Sequence, residues 1–140
     1  MVLLDTNVIS EILKPQPAGS VLGWLSTFAR SQVFTTSVTQ AEILYGVALL
    51  PPGQKRNRLL KAVHEVFSEV LGERILAFDT TCAPAYAEIA ANRRSLGRPI
   101  SQLDAQIGAI ALTHGLRLAT RNTCDFEECG ILLVNPWELS

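Results

Sequence analysis

Four acidic side chains are spaced so that they could assemble a metal-binding site. Each follows an apolar segment or begins a helical one: Asp5 after Val2–Leu4, Glu42, Asp104 and Asp125. In a parallel sheet, Asp5, Glu42 and Asp125 would fall on the edge where ligands bind. Converging carboxylates repel one another unless a cation lies between them, and a cluster of oxygen ligands suits Mg²⁺ or Mn²⁺. The predicted chemistry is metal-assisted hydrolysis of a phosphodiester.

Three of these acids also fit a purely structural explanation. Thr39–Glu42 and Ser101–Asp104 match the pattern in which a hydroxyl residue caps a helix and an acid follows three residues later. Acidic residues in a first helical turn, such as Asp125, also interact favourably with the helix dipole. Asp5 fits this explanation less well, because it lies at the end of a predicted strand.

The elements that must position these acids alternate between strands and helices. Apolar runs predict five strands, at residues 2–4, 33–36, 75–78, 116–119 and 131–134. Segments with helical character lie between them, at residues 8–13, 20–30, 37–50, 54–71, 81–96 and 101–114. This alternation predicts an α/β fold with a parallel sheet covered by helices on both faces. We expect a single domain over residues 1–140.

Composition narrows the classes of function. The 140 residues carry a net charge of −1, which disfavours a chain that coats nucleic acid by bulk electrostatics. No apolar stretch is long enough to span a membrane, and the N-terminus has no signal-peptide pattern. Cysteines 82, 124 and 129 have no convincing zinc spacing. Reduced thiols, and therefore a cytoplasmic location, are the simplest expectation.

Several residues near the acids are candidates for supporting roles. The basic candidates for contacts to a phosphate are Lys14, Arg98 and Arg121, and Arg121 directly follows the fourth predicted strand. The hydroxyl candidates for orienting water or a ligating carboxylate are Thr6, Ser37 and Thr120. For each basic residue the alternative is a solvated surface position, and for each hydroxyl it is a helix cap.

Other hydrolytic mechanisms are less well supported. His64 and His114 both lie away from the acidic motifs, which disfavours a ribonuclease that uses paired histidines. A G-x-S-x-G turn is missing, which disfavours a serine hydrolase. A phosphatase that forms an aspartyl-phosphate on Asp5 generally needs a second Asp two residues later, where this chain has Asn7.

Taken together, the motifs resemble the PIN-domain ribonucleases. They appear in the family's order at residues 4–7, 37–42, 97–104 and 119–126. Within that family the chain is most similar to the VapC-type toxins of bacterial toxin–antitoxin pairs, including the FitB-like branch. The segment Val134–Trp137 also resembles this branch.

The resemblance implies a three-layer α/β/α fold around a mainly parallel five-stranded sheet. It also implies a Mg²⁺-dependent endoribonuclease that forms a homodimer and is blocked by a VapB-type antitoxin. The complex would form a higher assembly and reach its promoter DNA only through the antitoxin, with no membrane partner. The alternative is a weakly active or inactive PIN-like subunit whose role is to pair with a DNA-binding antitoxin and regulate transcription.

Asp5, Glu42 and Asp104 match the family's acidic positions. The fourth position is ambiguous, because Asn122 occupies a place that is Asp in many PIN domains and Asp125 follows three residues later. Either Asp125 supplies a fourth carboxylate, or Asn122 completes a metal site with three carboxylates.

Overall fold

A central parallel sheet organises the protein. The computed structural model describes residues 1–139. Within them the strands are β1 Val2–Leu4, β2 Val33–Thr36, β3 Ile75–Leu76, β4 Arg117–Ala119 and β5 Leu133–Val134. They form a five-stranded sheet in the order β3-β2-β1-β4-β5, and every neighbouring pair is parallel.

Helices connect the strands. The α-helices are α1 Thr6–Ile12, α2 Gly19–Leu25, α3 Ser37–Ala48, α4 Gln54–His64, α5 Ala83–Ser95 and α6 Gln102–His114. Helix α4 continues into a π-helical segment, Glu65–Leu71, which ends where the Gly72 N–H donates to the Phe67 carbonyl at 3.1 Å. Short 3₁₀ turns lie at Arg30–Gln32, Thr80–Cys82 and Thr123–Phe126.

Two apolar clusters separated by the sheet define the three layers. Val2 and Leu4 belong to a cluster with residues of α1, α2, α3 and α4. Leu3, which points to the opposite face of the same strand, belongs to a cluster formed mainly with α5 and α6. All three side chains are buried, as expected for a strand covered on both faces. The predicted α/β/α fold is therefore confirmed.

Element boundaries differ from the prediction where pairing or packing decides them. Strands β3 and β5 are two residues long, whereas four apolar residues were expected for each. Phe78, predicted to lie in the third strand, lies beyond it and packs edge-on against Tyr86 at 5.7 Å between ring centroids. Predicted helix 20–30 ends at Leu25, followed by a turn in which Thr27 and Phe28 donate backbone hydrogen bonds.

The topology places a crevice beside β1. From β1 the chain builds outward to β2 and β3 on one side, then crosses to β4 and β5 on the other. The carboxyl ends of β1 and β4 therefore flank the point where strand order reverses, the usual ligand site in open α/β sheets. Asp5 follows one of these strands and Thr120 the other.

Candidate active site

Asp5 is the most constrained residue at this crevice. Its backbone N–H continues the sheet by donating to the Ala119 carbonyl at 2.9 Å, and its side chain caps α1 by accepting from the Thr6 N–H at 2.8 Å. The other carboxylate oxygen accepts from the Thr120 hydroxyl at 2.8 Å and from the Asn7 side-chain amide at 3.4 Å. Only 5% of Asp5 is exposed, so it combines the roles of cap and buried acid.

Thr120 and Asn7 tie the loop after β4 to the start of α1. The Thr120 hydroxyl oxygen accepts from the Asn7 amide at 3.2 Å and from the Asn122 backbone N–H at 3.1 Å. The Asn7 side-chain carbonyl accepts from the Arg121 backbone N–H at 3.2 Å. The position of Asn122 is therefore coupled to that of Asp5 through neutral hydrogen bonds.

Glu42 reaches the same crevice from α3. The Thr6 hydroxyl donates to a Glu42 carboxylate oxygen at 2.7 Å and lies 3.0 Å from the Thr39 hydroxyl. Helix α3 is capped by Thr36, whose hydroxyl accepts from the Thr39 N–H at 2.9 Å. The expected capping pair of Thr39 and Glu42 is therefore wrong, because Glu42 lies a turn further into the helix.

Asp104 enters from the first turn of α6. The hydroxyl of Ser101 accepts from the Asp104 N–H at 3.2 Å, so the predicted cap at Ser101 is confirmed. The Asp104 carboxylate nonetheless faces the crevice, and the capping explanation does not exclude a role in the site.

One cavity of about 430 Å³ collects these groups. It is lined by Asp5, Thr6, Asn7, Ser10, Glu11, Lys14, Glu42, Asp104, Arg121, Asn122 and Trp137. Four carboxylates thus line one opening: Asp5 and Glu11 from the N-terminal part of the chain, Glu42 from α3 and Asp104 from α6. Asn122 lies in this lining, whereas Asp125 lies in the neighbouring 3₁₀ turn, near Asp104.

Two of the supporting candidates lie elsewhere. Ser37 lines a separate, largely apolar cavity with Tyr45 and Leu103. The Arg98 guanidinium donates to the Glu127 carboxylate at 2.9 Å and does not line the acidic cavity. The adjacent Arg93, which is 4% exposed, donates to the backbone carbonyls of Arg98 and Glu127, both at 2.8 Å.

The electrostatics of the cavity reflect buried like charges. Burial raises the pKa of Asp5 from its ordinary value of 3.8 to about 6, opposed by the hydrogen bonds from Thr120 and Thr6 and increased by repulsion from Asp104 and Glu42. Burial likewise raises the pKa of Asp104, and the nearby Asp125 and Glu42 add to that rise. Unscreened carboxylates of this kind are stabilised when a cation binds between them.

Sequence reasoning missed three residues of this cavity, Ser10, Glu11 and Trp137. Glu11 lies one turn after Asn7 on α1 and accepts from the Lys14 ammonium at 2.9 Å and the Ala18 N–H at 3.0 Å. Trp137 lies beyond β5, with the Arg121 guanidinium over its ring at 4.9 Å from the centroid. The helical spacing of Asn7 and Glu11 was a usable signal for Glu11, whereas Trp137 was noted only within a segment that resembles the family, with no role in the site.

The donor set fits a hard divalent cation. Asp5, Glu42 and Asp104 supply carboxylate oxygens and Asn122 an amide, the ligands that Mg²⁺ and Mn²⁺ prefer. Among residues 1–139, no group of three His, Cys, Asp or Glu side chains is placed so that it could hold a metal ion by itself. Mg²⁺ typically keeps several water ligands and uses only one or two carboxylates, so it does not require such a cluster.

Known proteins of one family resemble this chain over nearly its whole length. Residues 2–130 match the PIN domain family. The chain is 40% identical over 137 residues to toxin FitB of Neisseria gonorrhoeae, with coverage of 98% of this chain and 99% of FitB. It is 36% identical to the VapC ribonuclease Y4jK of Sinorhizobium fredii, with coverage of 99% of both chains.

Similarity to solved structures indicates the same family. A structure of FitAB bound to a DNA fragment matches with a TM-score of 0.93 and 39% identity, covering 100% of this chain and 98% of that one. The chain belongs to the PIN-domain family, in the group that contains the VapC ribonucleases and the FitB toxin. The resemblance identified from the motifs is confirmed.

No helix within residues 1–139 is long and apolar enough to cross a membrane.

Proposed function

We propose that this protein is the toxin of a toxin–antitoxin pair and hydrolyses RNA phosphodiester bonds with Mg²⁺, or with Mn²⁺ in its place. The observation that carries the proposal is the convergence of Asp5, Glu42 and Asp104 on one cavity at the carboxyl edge of the parallel sheet. FitB and the VapC ribonuclease, which match nearly the whole chain, are a toxin and a ribonuclease by name. The activity belongs to a single domain.

Asp5, Glu42, Asp104 and Asn122 would hold the ion, one or two of the carboxylates directly and the other groups through its water ligands. When bound, it supplies positive charge that offsets the negative charge developing on the phosphate and favours ionisation of the attacking water. The hydroxyls of Thr120 and Thr6 hold the carboxylates of Asp5 and Glu42 in fixed orientations. They do so without adding positive charge that would compete with the ion.

The remaining groups prepare the site for an anionic substrate. Asn7 connects Asp5 to the loop that carries Asn122 through hydrogen bonds, so the two ligands keep a fixed position relative to each other. Lys14 and Arg121 line the same cavity and are suited to contact RNA phosphates. Asp125 is near enough to Asp104 to influence its charge but has a secondary role.

The test is cleavage of structured RNA by protein purified free of any partner. We expect cleavage with Mg²⁺ or Mn²⁺, and loss of cleavage with EDTA or in Asp5→Asn, Glu42→Gln and Asp104→Asn. Glu88→Gln, which alters an exposed acid on α5, is the matched control and should remain active. RNA cleavage that persists in EDTA would overturn the metal mechanism. Failure to cleave with any divalent ion would favour a binding subunit that acts through its antitoxin.

Two single variants test which residue occupies the fourth ligand position. Because Asn122 lines the cavity and Asp125 does not, Asn122→Ala should reduce cleavage more than Asp125→Asn. The reverse order would assign the fourth position to Asp125.

We also propose that the protein pairs with a VapB-type antitoxin and reaches promoter DNA only through it; a structure of FitAB bound to a DNA fragment, which matches this chain, supports the pairing. A homodimer is supported by apolar side chains that remain exposed on α3 and α6, namely Leu44, Tyr45 and Leu103. Light scattering of the protein with and without its antitoxin tests both assemblies. A monomer at all concentrations would contradict the homodimer.

A further inference from the structure

Residues 135–137, which follow β5, form an arm against the acidic cavity. The Arg121 guanidinium lies over the Trp137 indole, 4.9 Å from the ring centroid. The Asn135 amide donates to the Arg121 carbonyl at 3.3 Å, and the Trp137 N–H donates to the Asn135 side-chain oxygen at 3.0 Å. The arm therefore holds Arg121 at both its backbone and its side chain.

The same arginine is connected to the acidic centre. Its backbone N–H donates to Asn7, which also hydrogen-bonds Asp5. Its charge is close enough to Glu11 to help lower the pKa of that carboxyl, after the larger effects of Lys14 and the Ala18 N–H. Arg121 thus lies at a defined place on the cavity wall, with the Lys14–Glu11 pair also on that wall.

We propose that Trp137 is a positioning residue that holds the Arg121 guanidinium at the mouth of the cavity, where it binds a phosphate of the RNA. This inference rests on the proposed ribonuclease function. When a guanidinium that lies over an aromatic ring stacks on it face to face, its in-plane N–H groups stay available to an anion. A planar guanidinium with free N–H groups can bind a phosphate through two parallel hydrogen bonds.

The arrangement favours this role over stacking of Trp137 on an RNA base. The arginine already covers one face of the indole, and Trp137 is half-buried and packs against the apolar cluster of β1 and α1. The ring is therefore engaged on both the cavity side and the core side. Trp137 then affects RNA only through Arg121, and this dependence can be measured.

The test is a double-mutant cycle on binding of a short, fluorescein-labelled single-stranded RNA to the full chain in EDTA, where cleavage does not occur. Arg121→Ala should weaken binding about tenfold, as expected for a lost hydrogen bond to a charged group. It should also reduce the slope of log affinity against log salt by about 0.7, the contribution of one phosphate on a single strand. Trp137→Ala should weaken binding about threefold, and Trp137→Phe should recover part of the loss.

The decisive variant is the double mutant. If Trp137 acts through Arg121, adding Trp137→Ala to Arg121→Ala should cause no further loss of affinity. Arg117→Ala is the matched control, because Arg117 makes a similar stack on Phe28, at 5.6 Å, from the other end of β4. It removes the same charge and should leave the salt slope of RNA binding nearly unchanged.

Two results would overturn the inference. One is wild-type affinity and salt slope in Arg121→Ala. The other is a further loss in the double mutant equal to that of Trp137→Ala alone, which would mean that the indole contacts RNA directly. Cleavage with Mg²⁺ separates these outcomes from the proposed function. If the wild type cleaves RNA and Asp5→Asn does not, the ribonuclease assignment stands whatever Trp137 does.

Discussion

Replacing Asp5 by asparagine should make the metal-free protein more stable while abolishing cleavage. Asp5 is almost completely buried, and burial with repulsion from Asp104 and Glu42 raises its pKa from 3.8 to about 6. Such a rise means that the ionised carboxylate is less favourable in the folded protein than in the unfolded chain. An amide of nearly the same shape removes the charge.

The size of the effect follows from the pKa. A rise from 3.8 to about 6 corresponds to about 3 kcal/mol of lost stability at neutral pH. Asp5→Asn should not gain all of this stability. One Asp5 oxygen accepts from both Thr120 and Asn7, and an amide nitrogen cannot replace it as an acceptor. We therefore expect Asp5→Asn to raise the free energy of unfolding by about 1 to 2 kcal/mol in EDTA at neutral pH.

The sign of the pH dependence provides a further check. Near pH 4 and below, Asp5 is protonated in the folded protein, so its burial costs little. As pH rises from about 4 to about 6, the unfolded chain loses this proton while the folded protein keeps it, and wild-type stability falls. Above the folded pKa the cost stays constant. The advantage of Asp5→Asn should therefore grow over this interval and then level off.

The assay is urea denaturation of both proteins across this pH range, with EDTA and with Mg²⁺. A ligand present at 100 times its dissociation constant stabilises the folded state by about 2.7 kcal/mol. Mg²⁺ should therefore stabilise the wild type and have a much smaller effect on Asp5→Asn, which reverses their order. A variant that is less stable than the wild type in EDTA at every pH would refute this account of the site.

Substitutions at four other positions test the site and the fold that positions it. Thr6→Val loses the hydrogen bond to the α3 carboxylate and should lower kcat/KM about tenfold with little change in the urea midpoint. Arg93→Met leaves the backbone carbonyls of Arg98 and Glu127 without this donor and should lower the free energy of unfolding by about 2 kcal/mol, whereas Arg93→Lys should lower it less. Gly115 has a φ of +66°, so Gly115→Ala should lower the free energy of unfolding by about 1 kcal/mol in urea denaturation. Gly46 lies inside α3 with open space around it, so Gly46→Ala should raise the free energy of unfolding by up to about 1 kcal/mol.

Sequence patterns predict the parts of the fold that depend on local burial. Val2–Leu4 and Val33–Thr36 are strands at the predicted residues, because continuous apolar or β-branched runs suit a sheet covered on both faces. Strands β3 and β5 are shorter than predicted, because each extends only as far as its neighbouring strand offers pairing. Leu133 and Val134 pair with β4, while Ile131, predicted as strand, packs against the α5–α6 cluster.

The residues of the site also divide into those marked by the local sequence and those placed by contacts distant in the chain. Asp5 and Asp104 could be predicted because strand ends and helix starts leave a local signature in the sequence. Trp137 could not, because its role depends on the side chain of Arg121, brought next to it by the pairing of β4 with β5. Arg98 was a candidate for a phosphate contact, with a solvated surface position as the alternative, and the nearby Glu127 holds its guanidinium in an ion pair.

The distribution of positive charge explains why this cavity suits an added cation. Lys14 is paired with Glu11 and Arg98 with Glu127, and Arg121 is stacked on Trp137. Asp5 and Glu42, in contrast, are held by the neutral hydroxyls of Thr120 and Thr6. The basic residues near the cavity are therefore engaged by other partners, and the carboxylates keep their mutual repulsion. A divalent ion can relieve that repulsion without displacing a protein cation, and the lysine and arginine remain at the cavity wall for the anionic RNA.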